Sequence, residues 1–441
     1  MTIPINVEVL NEAALLLDRD AFLTGLLNQV ITNKSDGWLQ DLRNGATKWV
    51  RHSVIPNTRD EEWRFTDLSP LKDVKFNNLG IIHELSLQNE FVLPEVSQRL
   101  VFVNGVYSPS LSNTENLPSG LIIGNLDALP SEVAKEYLAQ SEGTREVFAA
   151  LNTAGLNDVA VVWVGKNVVV ENPIHLLFIS VAGEFAVISQ PRCLVVAESN
   201  SQVTVIEEYI PSSSEQVYFN NSVTEIWVNE NAQVSHNRIV TEGNAAFHIG
   251  KTAVTQARYS RYNCNAVTLG GKISRHNLEI LQTGEQTETT LNGLTVIADN
   301  QLGDTHSALS LNHPHGVSKQ LHKCIIGDRA HGVFNGKVFV PKLAQLTNAS
   351  QLNRNLLLSS KSRIDTKPQL EITADNVKCA HGATVSQLED DQIFYLQSRG
   401  IDENDARKLL VNAFATEVIN FIPVPSLRES LLKTVTSLTN K

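Results

Sequence analysis

The chain has 441 residues and a formal net charge of −11, from 36 Lys and Arg against 47 Asp and Glu. That length is enough for two or three domains and a large core, and the acidic balance argues against a nucleic-acid partner. Cysteines at 193, 264, 324 and 379 form no CxxC pair, which excludes a zinc ribbon and a disulfide framework and suits a reducing, cytoplasmic setting.

The opening MTIPINVEVLNEAALLLDRD lacks a basic n-region and an unbroken apolar run, so it does not read as a signal peptide. Residues 1–95 are expected to be mainly helical. Asn11 is placed to cap a run carrying Ala14, Leu15, Phe22, Leu26, Leu27 and Val30 at helical intervals. A second run spans Trp38–Val54 and stops at Pro56. Residues 96–157 read as a lead-in. VFVNGVY (Val101–Tyr107) predicts a hairpin with a type I′ turn at Asn104-Gly105, and Ser131–Ser141 and Arg145–Ala154 predict two short helices.

From 158 to 388 the pattern turns to short β-branched runs between polar corners. The most apolar part, Val159–Ala182, is broken by Lys166, Glu171 and Pro173 and cannot span a membrane. Corner-plus-strand pieces recur: NSQV ends at Val203, NAQV at Val234, AHGV at Val333 and KSRI at Ile364. Repetition over so long a block predicts a solenoid of stacked strands. A β-sandwich is the competing reading and fits less well. Residues 389–441 return to helix. Gly400 closes one helix, Asp402 caps the next, and Ser426 is placed to cap a last one. Leu409, Leu410, Ala413, Phe414 and Val418 form an apolar stripe too large for three short helices to hide, so part of it is expected to bury against the β region or a partner.

Several motifs carry less chemistry than their letters suggest. AAFHIGKT (Ala245–Thr252) ends like a phosphate loop, but Phe247, His248 and Ile249 fill the loop and strand-forming residues follow it. No convergent backbone N–H groups are expected there. His306, His313, His315 and His322 cluster in sequence, and His313-Pro314-His315 resembles a cupin-type HxH. No glutamate ligand follows within Gly316–Leu321, so these histidines are expected to fill solenoid corners.

Cys379 and His381 are two apart. On a strand they project from one face, and thiolate and imidazole both ligate iron, zinc or copper. Two readings stand on spacing alone: a strand end with a buried thiol and a structural histidine, or half of a metal site that a second surface completes. No nucleophile elbow, Ser-His-Asp order or glycosidase carboxylate pair is legible.

The chain resembles the SufB/SufD family of iron–sulfur cluster assembly proteins. The resemblance rests on RDEEWRFTDL (Arg59–Leu68), GVFNGKVFV (Gly332–Val340), AQLTNASQLNRNLLLS (Ala344–Ser359), DTKPQLEI (Asp365–Ile372) and above all DNVKCAHGATVSQLEDDQIFYLQSRGI (Asp375–Ile401). It is dense from 300 to the end and thin in the N-terminal third. The Cys-Ala-His-Gly form of the terminal segment and the chain length favour the SufD branch over the SufB branch.

The resemblance implies a mainly β fold, a right-handed parallel β-helix flanked by helical regions. It implies a scaffold without turnover of its own. The scaffold would pair with SufB through the β-helix and bind the ATPase SufC through the C-terminal helices, with a homodimer open to the isolated chain. No tightly bound cofactor is implied. A transient Fe–S cluster or iron would form at the SufB–SufD interface, where His381 takes the family's interfacial histidine position and Cys379 the neighbouring cysteine. The contrasting hypothesis is a stand-alone β-helix lyase or hydrolase acting on polysaccharide, which would need charged residues along one solenoid face.

Overall fold

The structure is a computed structural model that describes residues 19–30, 37–77, 91–141 and 146–439. The predicted Asn11 cap, with Ala14 and Leu15, lies outside the described residues. The remaining chain builds a parallel β-solenoid of about eight turns with helices at both ends. Two 10-stranded sheets face each other, and the chain alternates between them. The first sheet runs from Val106–Tyr107 and Gln98–Val103 through Ile174–Ser180 to the final strand Lys378–Gln387. The second runs from Leu121–Gly124 and Ala160–Val164 to Arg363–Ile372. The lead-in therefore joins the sheets: Gln98–Val103 pairs in parallel with Ile174–Ser180.

The repeats have a physical cause. Asn167, Asn200 and Asn231 each sit at a corner with positive φ (63°, 62° and 57°), a conformation asparagine tolerates better than most residues. Their side chains form a ladder, Asn231 Nδ2 donating to Asn200 Oδ1 and Asn200 Nδ2 to Asn167 Oδ1, both at 2.9 Å. NSQV and NAQV stack in the register their sequences suggest, Val234 on Val203. The second pair is offset by one: Gly332, not Val333, lies on Ile364. The Asn104-Gly105 turn forms as predicted, with both residues at positive φ.

Helices cover the outer faces. On the second sheet, Leu23, Leu26, Leu27, Trp63, Phe76 and Phe148 pack on Phe219, Phe247, Ile249 and Ile273. The two short lead-in helices are Ser131–Tyr137 and Val147–Ala154. A buried Arg192–Glu225 ion pair ties this layer down. Arg192 also reaches Asn152 and Thr153, and Glu225 accepts the backbone N–H groups of Ala139 and Ser141.

On the first sheet, the tail helices Glu403–Ile419 and Pro425–Thr439 lie on Ile206, Ile239, Val267, Leu294 and Ile325. The buried face of the first of these is Ala406, Val411, Ala415, Val418 and Ile419. The expected stripe is therefore rotated: Val418 is buried, Leu410 and Phe414 are half-buried, and Leu409 and Ala413 face outward. Each fully buried aliphatic side chain here contributes about 1.5–3 kcal/mol. Asp402 caps its helix through the N–H groups of Asn404 and Asp405. Ser426 does not act as a cap. It lies in the first turn of Pro425–Thr439, and Glu95 accepts both its N–H and its hydroxyl. No helix among the described residues is long and apolar enough to cross a membrane.

Candidate functional site at the open end of the solenoid

The last coil consists of Arg363–Ile372 and Lys378–Gln387, and each strand pairs on one side only. Its other edge carries backbone groups with no strand beside them, and most of Lys378–Gln387 is exposed. Cys379 and His381 lie on this final strand, as the spacing predicts. Cys379 stacks on Ala349 and His381 on Gln351, whose side chains line the lumen, so both project from the inner wall at its open rim. Cys379 is half-buried against the interior core, and burial pushes its thiol above the usual range while the Ala349 N–H opposes the shift. His381 is exposed, and Gly382 and Ala383 beside it leave room for close approach by another surface.

The other cysteines stand apart from this rim. Cys193, Cys264 and Cys324 are buried and unbridged, and burial lifts the Cys324 thiol to about 12.

The four histidines of the second cluster do not converge. His306 lies on the outer face, between Asp304 at 3.0 Å and Glu62 at 3.2 Å. His322 lies inside the lumen, stacked on Phe334 with ring centroids 4.8 Å apart. His315 occupies a corner at φ 60° and His313 precedes it. Only His313 and His315 match the expected corner placement, because His306 and His322 sit on strands with opposite facing. No group of three or more His, Cys, Asp or Glu among the described residues is arranged to hold a metal ion. All but the first two residues of AAFHIGKT lie in the strand Phe247–Gln256, where a Cβ on Gly250 would come within 2.2 Å of Arg238. That glycine makes room for a guanidinium inside the lumen, not for a phosphate.

Sequence reading missed how polar the lumen is. Glu207 accepts from Tyr209 (2.7 Å) and Thr224 (2.9 Å) and pairs with His236 at 2.8 Å. Burial opposes the Glu207 charge, but His236, Arg238 and Tyr209 outweigh it and hold the carboxyl at about 2. Burial likewise opposes charge on His236, and its contacts with Cys264 and Glu207 lift the ring to about 9. On the outer face a cleft of about 360 Å³ lies between the Glu62-Trp63 segment and the second sheet. Its two buried cations are already paired: Lys251 with Glu279, and Arg275 with Asp304 and with the Trp63 ring at 3.9 Å. Near the rim the inward positions Gln351, Asn353 and Asn355 are all polar and buried. The signal was present in NASQLNRN, which alternates without an apolar residue on its inner phase after Ala349.

Residues 178–414 match the family described as SUF system FeS cluster assembly, SufBD core domain, and residues 25–176 match the SufBD protein N-terminal region. An iron–sulfur cluster assembly SufBD family protein of Synechocystis sp. is 48% identical over 100% of both chains. Protein ABCI7, chloroplastic, of Arabidopsis thaliana is 35% identical over 89% of this chain and 84% of its own. The iron–sulfur cluster assembly protein SufD of Escherichia coli is 32% identical over 86% of this chain and 88% of its own. With two matched segments spanning most of the sequence and full-length relatives at this identity, the chain belongs to the SufBD family of iron–sulfur cluster assembly proteins.

Proposed function

We propose that the chain is a non-catalytic scaffold subunit, acting in the cytoplasm, that pairs with SufB through the open end of its solenoid. A nascent Fe–S cluster, its cargo, would form across that junction, with His381 and Cys379 supplying this chain's ligands. The observation that carries the reading is the coincidence of an unpaired strand edge with an imidazole and a thiol on the same rim. A free edge accepts a strand from another chain through main-chain hydrogen bonds. Half a donor set becomes a site only when the second chain arrives. The raised thiol of Cys379 must lose its proton to ligate, so it contributes less readily than the exposed imidazole.

The C-terminal helices are proposed to bind the SufC ATPase through their outward side. Phe394 (70% exposed), Tyr395 (55%) and Leu409 (49%) are large apolar side chains left uncovered there. In isolation the same free edge suits pairing with a second copy of this chain.

The test is reconstitution with both partners. His381→Ala is expected to fold and to assemble the complex, yet to lose cluster formation. Cys379→Ala is expected to do so more weakly. Normal cluster formation by His381→Ala refutes the ligand role, and loss of the complex in that variant shows instead that the histidine is structural.

A further inference from the structure

The inner wall beneath His381 carries a short chain of amides. On the first sheet, Gln320, Gln351 and His381 stack in register; on the second, Ser307, Gly336 and Pro368 do. Gln320 Nε2 donates across the lumen to Ser307 Oγ at 2.7 Å, and Gln351 Nε2 donates to Gln320 Oε1 at 2.7 Å. These two bonds orient both amides, because each nitrogen is already engaged on the inner side. Gln351 Oε1 is left with no partner in a residue that is only 3% exposed. An acceptor buried without a partner is destabilising, so a donor that reaches it is favoured.

The surroundings are shaped for this amide. A Cβ on Gly336 would lie 2.1 Å from Gln351 Nε2, so the glycine on the opposite wall leaves the amide its observed place and a larger residue would push it aside. Deeper in the lumen the next stacked residues are Leu278 under Ser307 and Leu291 under Gln320, and the polar chain stops there. It therefore has one open direction, toward the coil that carries His381.

We propose that Gln351 is a positioning residue for His381. In the structure the two side chains do not bond; a turn of the exposed His381 ring about its side-chain bonds would bring the N–H of one ring nitrogen to Gln351 Oε1, which fixes the tautomer and leaves the lone pair of the other nitrogen facing the partner chain. Histidines that ligate metals commonly hold their second nitrogen in this way, and removing the support lowers metal binding or activity by roughly 10–100-fold. Gln320 and Ser307 in turn keep the Gln351 amide from flipping. This inference rests on the ligand reading of His381 and adds what orients it.

The test is nitrogen-15 NMR of histidine-labelled full-length chain at about pH 9, where an unperturbed ring is neutral. His381→Ala identifies the ring signals. Wild type is expected to show one protonated and one bare ring nitrogen. Gln351→Leu is expected to show signals averaged between tautomers, with cluster assembly in the partner complex reduced at least several-fold. Gln351→Glu, which keeps an acceptor oxygen, retains the single tautomer. Gln320→Leu frees the amide one coil deeper and shows partial averaging, so it carries the comparison if Gln351→Leu does not fold. Ring signals unchanged from wild type in the leucine variants overturn the proposal, whatever happens to assembly. Normal assembly by His381→Ala would instead refute the ligand reading, with the ring signals still deciding whether Gln351 sets the tautomer.

Discussion

Lys323 joins the solenoid to the tail, and its removal is expected to loosen one without unfolding the other. Its side chain is 1% exposed on the outer face of the first sheet. Nζ donates to Phe414 O at 2.8 Å, pairs with Glu417, and lies 4.0 Å from the centre of the Phe414 ring. Arg354 adds a second cation to Glu417 at 3.2 Å. A hydrogen bond from a charged donor contributes about 1.5–3 kcal/mol. Glu417 is half exposed, so the ion pair sits at the low end of its range, and the ring contact adds about 1 kcal/mol. Lys323→Met keeps the apolar stem and removes the charge, for a loss of about 3 kcal/mol in tail docking. That corresponds to about a hundredfold in the local opening equilibrium. Native-state hydrogen exchange reads it directly: amides in 403–419 should exchange about a hundredfold faster, while the strand His331–Val340 stays at wild-type rates. Unchanged exchange in the tail would refute this account of how it is held. Equal acceleration everywhere would show that tail and solenoid open together.

Two further outcomes follow from the same structure. Burial holds the His322 ring at about 3, so between pH 6.5 and about 3 the unfolded chain binds a proton that the folded chain refuses. His322 thus costs nothing above about pH 6.5, and its contribution falls as pH drops, by about 1.4 kcal/mol per pH unit. In urea titrations across that window His322→Gln should show a correspondingly shallower slope than wild type, and parallel slopes would sink the assignment. Leu409→Asp combined with Ala413→Glu places charge on the outward side of the tail without touching its packed side. It should abolish ATPase capture in a pull-down and leave the melting temperature unchanged within a degree or two; undiminished capture rules that surface out.

The sequence showed the solenoid through its recurring polar corners and β-branched runs, and most plainly in NSQV and NAQV, where asparagine takes the positive-φ corner; later corners use Tyr259, Gln286, His315 and Leu346, so the mark fades along the chain. It also showed that Cys379 and His381 share a face, since strand alternation needs no partner to be read. The tail was harder. Helical periodicity says that Glu403–Ile419 has apolar residues on more than one side, but which side meets the sheet depends on Ile206, Ile239 and Leu294, far away in the chain. The amides under His381 were illegible for a related reason. Coil lengths vary, from 26 residues between paired Phe247 and Ile273 to 33 between Ala160 and Cys193, so no fixed period places Gln351 beneath His381. The one-residue slip in the KSRI alignment is the same variation seen from the sequence side. The polar lumen escaped notice because a buried Glu207 or Arg238 becomes tolerable only when its partners, drawn from other coils, are known. Deletion of 389–441 would remove more than a docking surface. It would strip cover from the aliphatic outer face of the first sheet, so substitutions on the outward side are the cleaner perturbation.

The unfinished last coil also bears on how much of this protein a cell can hold. A stacked-strand structure stops adding strands only when something blocks its end, and here nothing among the described residues does. Each copy made without the partner proposed for it is a template for a strand, from a sister molecule or from any partly unfolded chain nearby. Solubility then depends on the ratio in which the two chains are synthesised, so balanced production would guard against aggregation as well as fix stoichiometry. Raising this chain alone should shift it toward self-paired or insoluble forms, and supplying the partner should reverse the shift without any change to its sequence.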